Sequence, residues 1–241
     1  MDDYSELYEN NMKMLNCAVQ YCSETFSHED LINELSLDND IKKQLCVIEI
    51  KEIKSQNEAD LLVYNLTEKS TPVREVISFK IFELIQNKNF NKFFQSNKII
   101  DTFTKGITDI NPSVSRNMIE IIKFIDNSDY LISKIIDEIK LTLDSLDNIK
   151  KNRSYVANKK NFNLYWNLEA LSVLGDKVKI NDEIISIINA TYKSNDYTIR
   201  EKTAKLICSL NSDLFINIIE ILKKDENIYV KKYFADYDIL N

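Results

Sequence analysis

Two glycines and two prolines in 241 residues leave little room for any architecture built on tight turns. Average usage would supply roughly 17 glycines and 12 prolines in a chain of this length. These residues set the special backbone angles of tight turns, and β-sandwiches and α/β folds need many of them. An all-helical chain tolerates the lack best. Hydrophobic residues make up 44% of the sequence, enough for a packed core rather than a disordered polymer.

Both prolines occupy one kind of position. Thr71-Pro72-Val73-Arg74 and Asn111-Pro112-Ser113-Val114 each place a capping residue before a proline at the first helical position. Proline is tolerated there because its missing N–H would have no intrahelical acceptor. Five segments share the wider pattern of a β-branched residue, usually with a base close behind, followed by apolar residues at helical spacing. They begin at Ile41-Lys42-Lys43, Val73-Arg74, Val114-Ser115-Arg116, Ile199-Arg200 and Val230-Lys231. The intervals between the β-branched residues are 32, 41, 85 and 31, and 85 reads as two periods with a degenerate repeat around Leu164 to Gly175. A second apolar helical pattern follows each start, near residues 59–69, 97–109, 128–146, 182–192 and 212–223. Leu131, Ile135, Ile139 and Leu143 show the four-residue step of one helical face. The unit is a helix pair. A lone pair cannot bury its apolar face, so such pairs come as stacked arrays.

Thr71-Pro72-Val73-Arg74, Asn111-Pro112-Ser113-Val114 and Asp196-Tyr197-Thr198-Ile199-Arg200 resemble the first helix of HEAT repeats, where Asp or Asn and Pro open the helix and Val-Arg follows. The resemblance covers residues 38–241 and implies an all-α, α-α superhelix of about five to six HEAT-like pairs forming one continuous domain. Residues 1–37 fit no repeat. Leu7, Met14, Leu15, Ala18, Val19, Cys22 and Phe26 form one apolar stripe, and Leu31, Ile32 and Leu35 another. They read as two N-terminal capping helices over the open end of the first repeat. Ser27 to Asp30 resembles a capping box, Asp196, Ser128 and Ser212 sit where other caps are expected, and Gly175 is expected to supply a left-handed C-cap.

Charge is unevenly placed. Residues 1–40 hold ten acids and one base, Lys13, whereas the rest of the chain is nearly neutral. This end reads as a solubilising cap, or as a contact for a basic partner. Cys17, Cys22, Cys46 and Cys208 lie in apolar helical patterns and behave as small hydrophobes rather than a disulfide framework. No signal peptide opens the sequence and no apolar run approaches a membrane span, so the expectation is a cytoplasmic protein with no membrane partner.

Chemistry-bearing patterns are sparse. His28 is the single histidine, and Cys17, Cys22 and His28 match no zinc spacing. Gly106 and Gly175 stand alone, so no glycine-rich phosphate loop exists. No catalytic residue, metal or cofactor is expected. The recurring bases read as bonds within or between repeats. The segment 148–168 is the exception: Lys150, Lys151, Arg153, Lys159 and Lys160 alternate with Tyr155, Phe162, Tyr165 and Trp166, with no acid among them. Such a mixture can hold phosphate and stack bases, or hold an acidic peptide, or be a solvated connection into a helix whose aromatics are core. The candidate binding set is Lys150, Lys151, Arg153, Tyr155, Lys159, Lys160, Tyr165 and Trp166.

The HEAT resemblance implies a non-catalytic protein–protein interaction scaffold that binds another protein on a concave face built from the second helices. The same resemblance also covers HEAT-like DNA-binding proteins and alkylpurine DNA glycosylase-like enzymes, which are basic and use tryptophans and an aspartate. This chain has a pI near 5.0, one tryptophan and no aspartate that matches, so nucleic acid is the lesser alternative. HEAT-like factors for tetrapyrrole attachment are a further member class with no residue here to support them.

Overall fold

A computed structural model describes residues 2–147 and 154–235. Among them every regular element is a helix. In chain order the helices are α1 (Asp2–Ser23), α2 (His28–Glu34), α3 (Asp40–Glu49), α4 (Gln56–Tyr64), α5 (Thr71–Ile85), α6 (Lys88–Asn91), α7 (Asn97–Ile107), α8 (Pro112–Ile121), α9 (Ser128–Asp147), α10 (Ser154–Val173), α11 (Asp182–Thr191), α12 (Tyr197–Leu210), α13 (Ile216–Leu222) and α14 (Ile228–Lys231). The expected pairs are α3/α4, α5/α7, α8/α9, α10/α11 and α12/α13, with α14 opening a sixth. The short helix α6 is an insertion within the second pair that no periodicity announced.

The chain divides into two compact units. The first comprises residues 1–106 and 110–124, the second residues 107–109 and 125–241. In the first, α3, α5 and α8 pack side by side, α4 lies against α5, and α1 and α2 lie against α3. In the second, α10 packs between α9 and α12, α14 follows α12, and α11 touches both α9 and α12. Each unit is thus a stack of helices with the first helices side by side, the arrangement of an all-α repeat solenoid.

The β-branched residue of four of the five starts explains the stacking, whereas Ile41 of the first is half-buried. Val73, Val114, Ile199 and Val230 are fully buried. Three of these first helices are capped alike: Asn111, Asp196 and Asn227 each accept the backbone N–H two residues on, at 2.9 Å. Their short polar side chains satisfy a donor that the helix itself leaves open. At α5 the helix begins at Thr71, with Ser70 before it, so Pro72 sits one position deeper than expected. The N–H groups of the whole first turn lack intrahelical acceptors, which makes that position equally open to proline. At α9 Ser128 is already helical, and Asn127 accepts from the Tyr130 N–H at 3.4 Å. The capping box at Ser27 and Asp30 is formed.

Gly175 departs from expectation. No described glycine has positive φ, and the left-handed residue is Asn211, at the end of α12. Gly175 is needed for room: a Cβ there would lie 2.4 Å from Ser209 Oγ and 3.0 Å from its carbonyl oxygen. It lets the end of α10 close onto α12.

Helix α10 begins earlier than the degenerate repeat around Leu164 suggests. From Ser154 onward the segment 148–168 is helical. Leu164, Trp166, Asn167, Leu168, Ala170, Leu171 and Ser172 are all buried, because neighbours cover α10 on two sides. A helix covered on two sides shows no single apolar stripe in its sequence.

The first helix is apolar on two sides as well. Tyr21 is buried, and Cys17 and Ala18 are half-buried. Met12, Leu15 and Val19 recur at helical spacing on another face and are exposed, as is Cys22. Part of the stripe expected to cover the first repeat therefore faces solvent. Cys46 is buried and Cys208 half-buried, and burial pushes both thiols up, to about 12 and about 11.

Candidate functional site

The sequence-predicted binding set converges only in part. Tyr165 and Trp166 lie on α10 in the second unit and, with Asn158, Asn161, Phe162, Asp196 and Thr198, line a cleft of about 330 Å³. The ring of Trp166 meets Tyr165 edge-on at 5.2 Å and Phe162 at 6.2 Å. Trp166 is 8% exposed, and its indole N–H has no hydrogen-bond partner. Asn161 donates to the capping carboxylate of Asp196 at 3.1 Å, which joins the cleft to the start of α12. Lys159 is exposed and Lys160 half-buried on the same helix. Lys150, Lys151 and Arg153 lie outside the described residues, and Tyr155 belongs to α10 with its side chain outside them.

Beside this cleft lies a charged network that sequence reasoning missed. Glu169 on α10 accepts from Lys205 at 2.5 Å and pairs with Lys202 at 3.1 Å, both on α12. The ammonium of Lys202 stands 4.5 Å over the Tyr165 ring. Glu201 accepts from Lys232, just after α14, at 2.9 Å and from the Tyr233 hydroxyl at 3.3 Å. Burial opposes the charge on Glu169, but the hydrogen bond from Lys205 and the charge of Lys202 outweigh it and hold the carboxyl below its ordinary range. Burial likewise opposes the Lys202 ammonium, yet Glu169 and Tyr165 raise it to about 12. These groups stabilise one another as permanent charges. A proton-transfer group needs a pKa near the working pH, and the shifts here run the other way. A signal for the network did exist: Asn161–Asp196, Glu169–Lys205 and Glu201–Lys232 are 35, 36 and 31 residues apart, one repeat period each.

The recurring bases behave as the repeat reading expects at two positions. Arg74 donates to the carbonyls of Glu68 and Lys69 at 2.9 and 3.0 Å. Arg200 donates to those of Ser194 and Asn195 at 2.8 and 3.4 Å. Each guanidinium reaches back six and five residues to hold the loop that precedes its own helix. Arg200 adds a two-pronged pair with Asp225, at 2.6 and 3.0 Å, which holds that carboxyl below its ordinary range.

In the first unit the corresponding face of the first helices is open. A groove of about 650 Å³ runs across α3, α5 and α8, lined by Gln44, Ile48, Pro72, Glu75, Val76, Phe79, Ser113 and Asn117. Ile48 and Phe79 are each more than half exposed. Glu75 and Ser78 of α5 accept from Asn111 and Asn117 at the start and middle of α8, both at 2.9 Å, so the groove's base is cross-linked.

Among the described residues no group of three or more His, Cys, Asp and Glu side chains could hold a metal ion, and no helix is long and apolar enough to cross a membrane.

No protein-family model and no curated protein matches the chain. Solved structures do. An engineered protein is 13% identical over 87% of this chain and 96% of its own, at a TM-score of 0.50. A designed armadillo repeat protein in complex with the peptide (KR)4 is 13% identical over 88% and 98%, at 0.49. A computationally designed armadillo repeat protein for modular peptide recognition is 13% identical over 84% and 94%, at 0.48. At this identity the likeness to the engineered protein is one of fold alone.

Proposed function

We propose that this chain is a non-catalytic protein-interaction scaffold of the HEAT type. The observation that carries the reading is the solvent-facing stripe of Met12, Leu15 and Val19 on α1, a helix whose other side already contributes to the core through Tyr21. A contiguous apolar helix face in solvent is a feature of interaction surfaces. The exposed Ile48 and Phe79 of the groove support the same reading. The perturbed carboxylates described above are engaged in structural pairs, which favours binding over catalysis. The recurring Asx cap, buried β-branched residue and loop-holding arginine support the HEAT assignment. The partner contacts Lys150, Lys151, Arg153, Tyr155, Lys159, Lys160, Tyr165 and Trp166.

The test is affinity capture from lysate of the source organism, with and without nuclease, comparing the natural chain with Leu15→Glu/Val19→Glu and with Lys159→Glu/Lys160→Glu. A specific protein retained after nuclease and lost from the α1 variant is the expected result, with weakened capture by the α10 variant. Capture abolished by nuclease overturns the reading in favour of nucleic acid. Equal capture by all three chains also overturns it.

A further inference from the structure

A cleft of about 810 Å³ in the first unit lies where the α1–α2 connection, the end of α3 and α6 meet. Its lining is aromatic and acidic. Tyr21 and Phe26 stack with ring centroids 4.1 Å apart, and Phe90 of α6 lines the same cleft. Glu24, Glu49 and Glu52 also line it. Lys51 and His28 are the cationic or titratable bases among the lining residues. His28 is engaged by Glu58 at 3.0 Å, and Glu52 is paired with Lys54 at 3.0 Å. Glu24 accepts from a neutral amide, that of Gln20, at 3.2 Å. Negative charge therefore prevails around an aromatic floor.

A second observation is independent of the acids. Tyr21 is 5% exposed, and its hydroxyl is sealed from solvent with no hydrogen-bond partner. Nearby Glu34 likewise has one buried carboxylate oxygen without a donor. A buried polar atom without a partner is costly and calls for an explanation. Burial and the charges of Glu34, Glu49 and Glu24 raise the Tyr21 phenol, so the hydroxyl lies within reach of a negative field. Of these two groups Tyr21 lines the cleft: its hydroxyl has no partner, the field is negative, and the walls present ring faces. A cation on an apolar stem matches all three, since aromatic faces and carboxylates both attract it.

We propose that this cleft binds a lysine or arginine side chain presented by an exposed basic segment of a protein partner. The volume exceeds that of one side chain and admits flanking peptide. The dependence on the scaffold reading is confined to the partner being a protein. The acidic surplus of residues 1–40 then acts by steering a basic segment toward the cleft.

The probe is a fluorescein-labelled peptide, Gly-Ser-Arg-Lys-Arg-Ser-Gly, with Gly-Ser-Glu-Glu-Glu-Ser-Gly as control, read by fluorescence anisotropy against the full chain. The basic peptide should bind and the acidic one should not. Glu24→Gln/Glu49→Gln should weaken binding roughly fivefold. Asp213→Asn/Glu226→Gln, which removes the same charge from the second unit, should leave it unchanged. Bound basic peptide should also slow alkylation of Cys22, an exposed thiol that lines the cleft. Equal binding to both charge variants would show general attraction to an acidic protein and overturn the proposal. No binding of the basic peptide, or unchanged Cys22 alkylation, overturns it too. The two readings fail separately: if capture of the lysate partner is lost with Leu15→Glu/Val19→Glu yet indifferent to Glu24→Gln/Glu49→Gln, the scaffold stands and the cleft assignment falls.

Discussion

The outward face of the first helices differs between the two units. In the second, Tyr165, Glu169, Glu201, Lys202, Lys205 and Lys232 close it with ion pairs and a cation over an aromatic ring. In the first, Glu75 is the one charged residue lining a groove whose other walls include Ile48, Val76 and Phe79, and neighbouring first helices are joined by hydrogen bonds from Asn111, Asn117 and Lys80. The repeat thus uses one position in two ways. Where neighbouring first helices exchange charges, the face is committed to internal cohesion. Where hydrogen bonds from Asn111, Asn117 and Lys80 join them, Ile48 and Phe79 stay exposed.

Four measurements bear on that contrast. The largest effect belongs to Glu169→Ala. It leaves Lys202, itself 7% exposed, without its main partner, and should cost about 2–3 kcal/mol in urea unfolding. A loss below about 0.5 kcal/mol would mean the network is decoration and the contrast collapses. Next are the two glycines. Gly175→Ala in the second unit meets Ser209 including its backbone and should cost about 2 kcal/mol, whereas Gly106→Ala in the first meets only the Met118 side chain at 2.9 Å and should cost about half that.

Titration separates the units further. Lys202 has its pKa raised from 10.5 to about 12 on folding, so its contribution is present below pH 10.5 and is lost as pH rises through 12. Glu169 and Asp225 are lowered from 4.5 and 3.8, so theirs is present above those values and is lost as pH falls below them. Melting curves should therefore drop at both extremes. In Glu169→Leu/Lys202→Met the alkaline drop should flatten by about 3 °C. The smallest effect is Phe79→Ser in the open groove. Stability should stay within about 0.5 kcal/mol, while binding of a hydrophobic dye falls.

The helix pairs were legible because their causes are local. A capping Asn or Asp, a buried Val or Ile three residues on and a four-residue apolar step all lie within one helix. The edge of legibility is α10. Covered by α9 and α12, it buries Trp166, Asn167 and Leu168 in succession, so its period vanished. The groove and the acidic cleft were illegible for another reason. The cleft draws on residues 21–31, 45–52 and 87–90, and α6, which brings Phe90, was itself unforeseen. Only the ion pairs left a trace, as partners one repeat period apart.

The arginine bracket bears on the order in which the chain acquires structure. Arg74 and Arg200 grip carbonyls five and six residues behind them, with no need of any other helix. Loops that short close in roughly tens of nanoseconds, far sooner than distant helices can meet. As the chain leaves the ribosome, the corners before α5 and α12 can therefore be set before those helices have a neighbour to lean on.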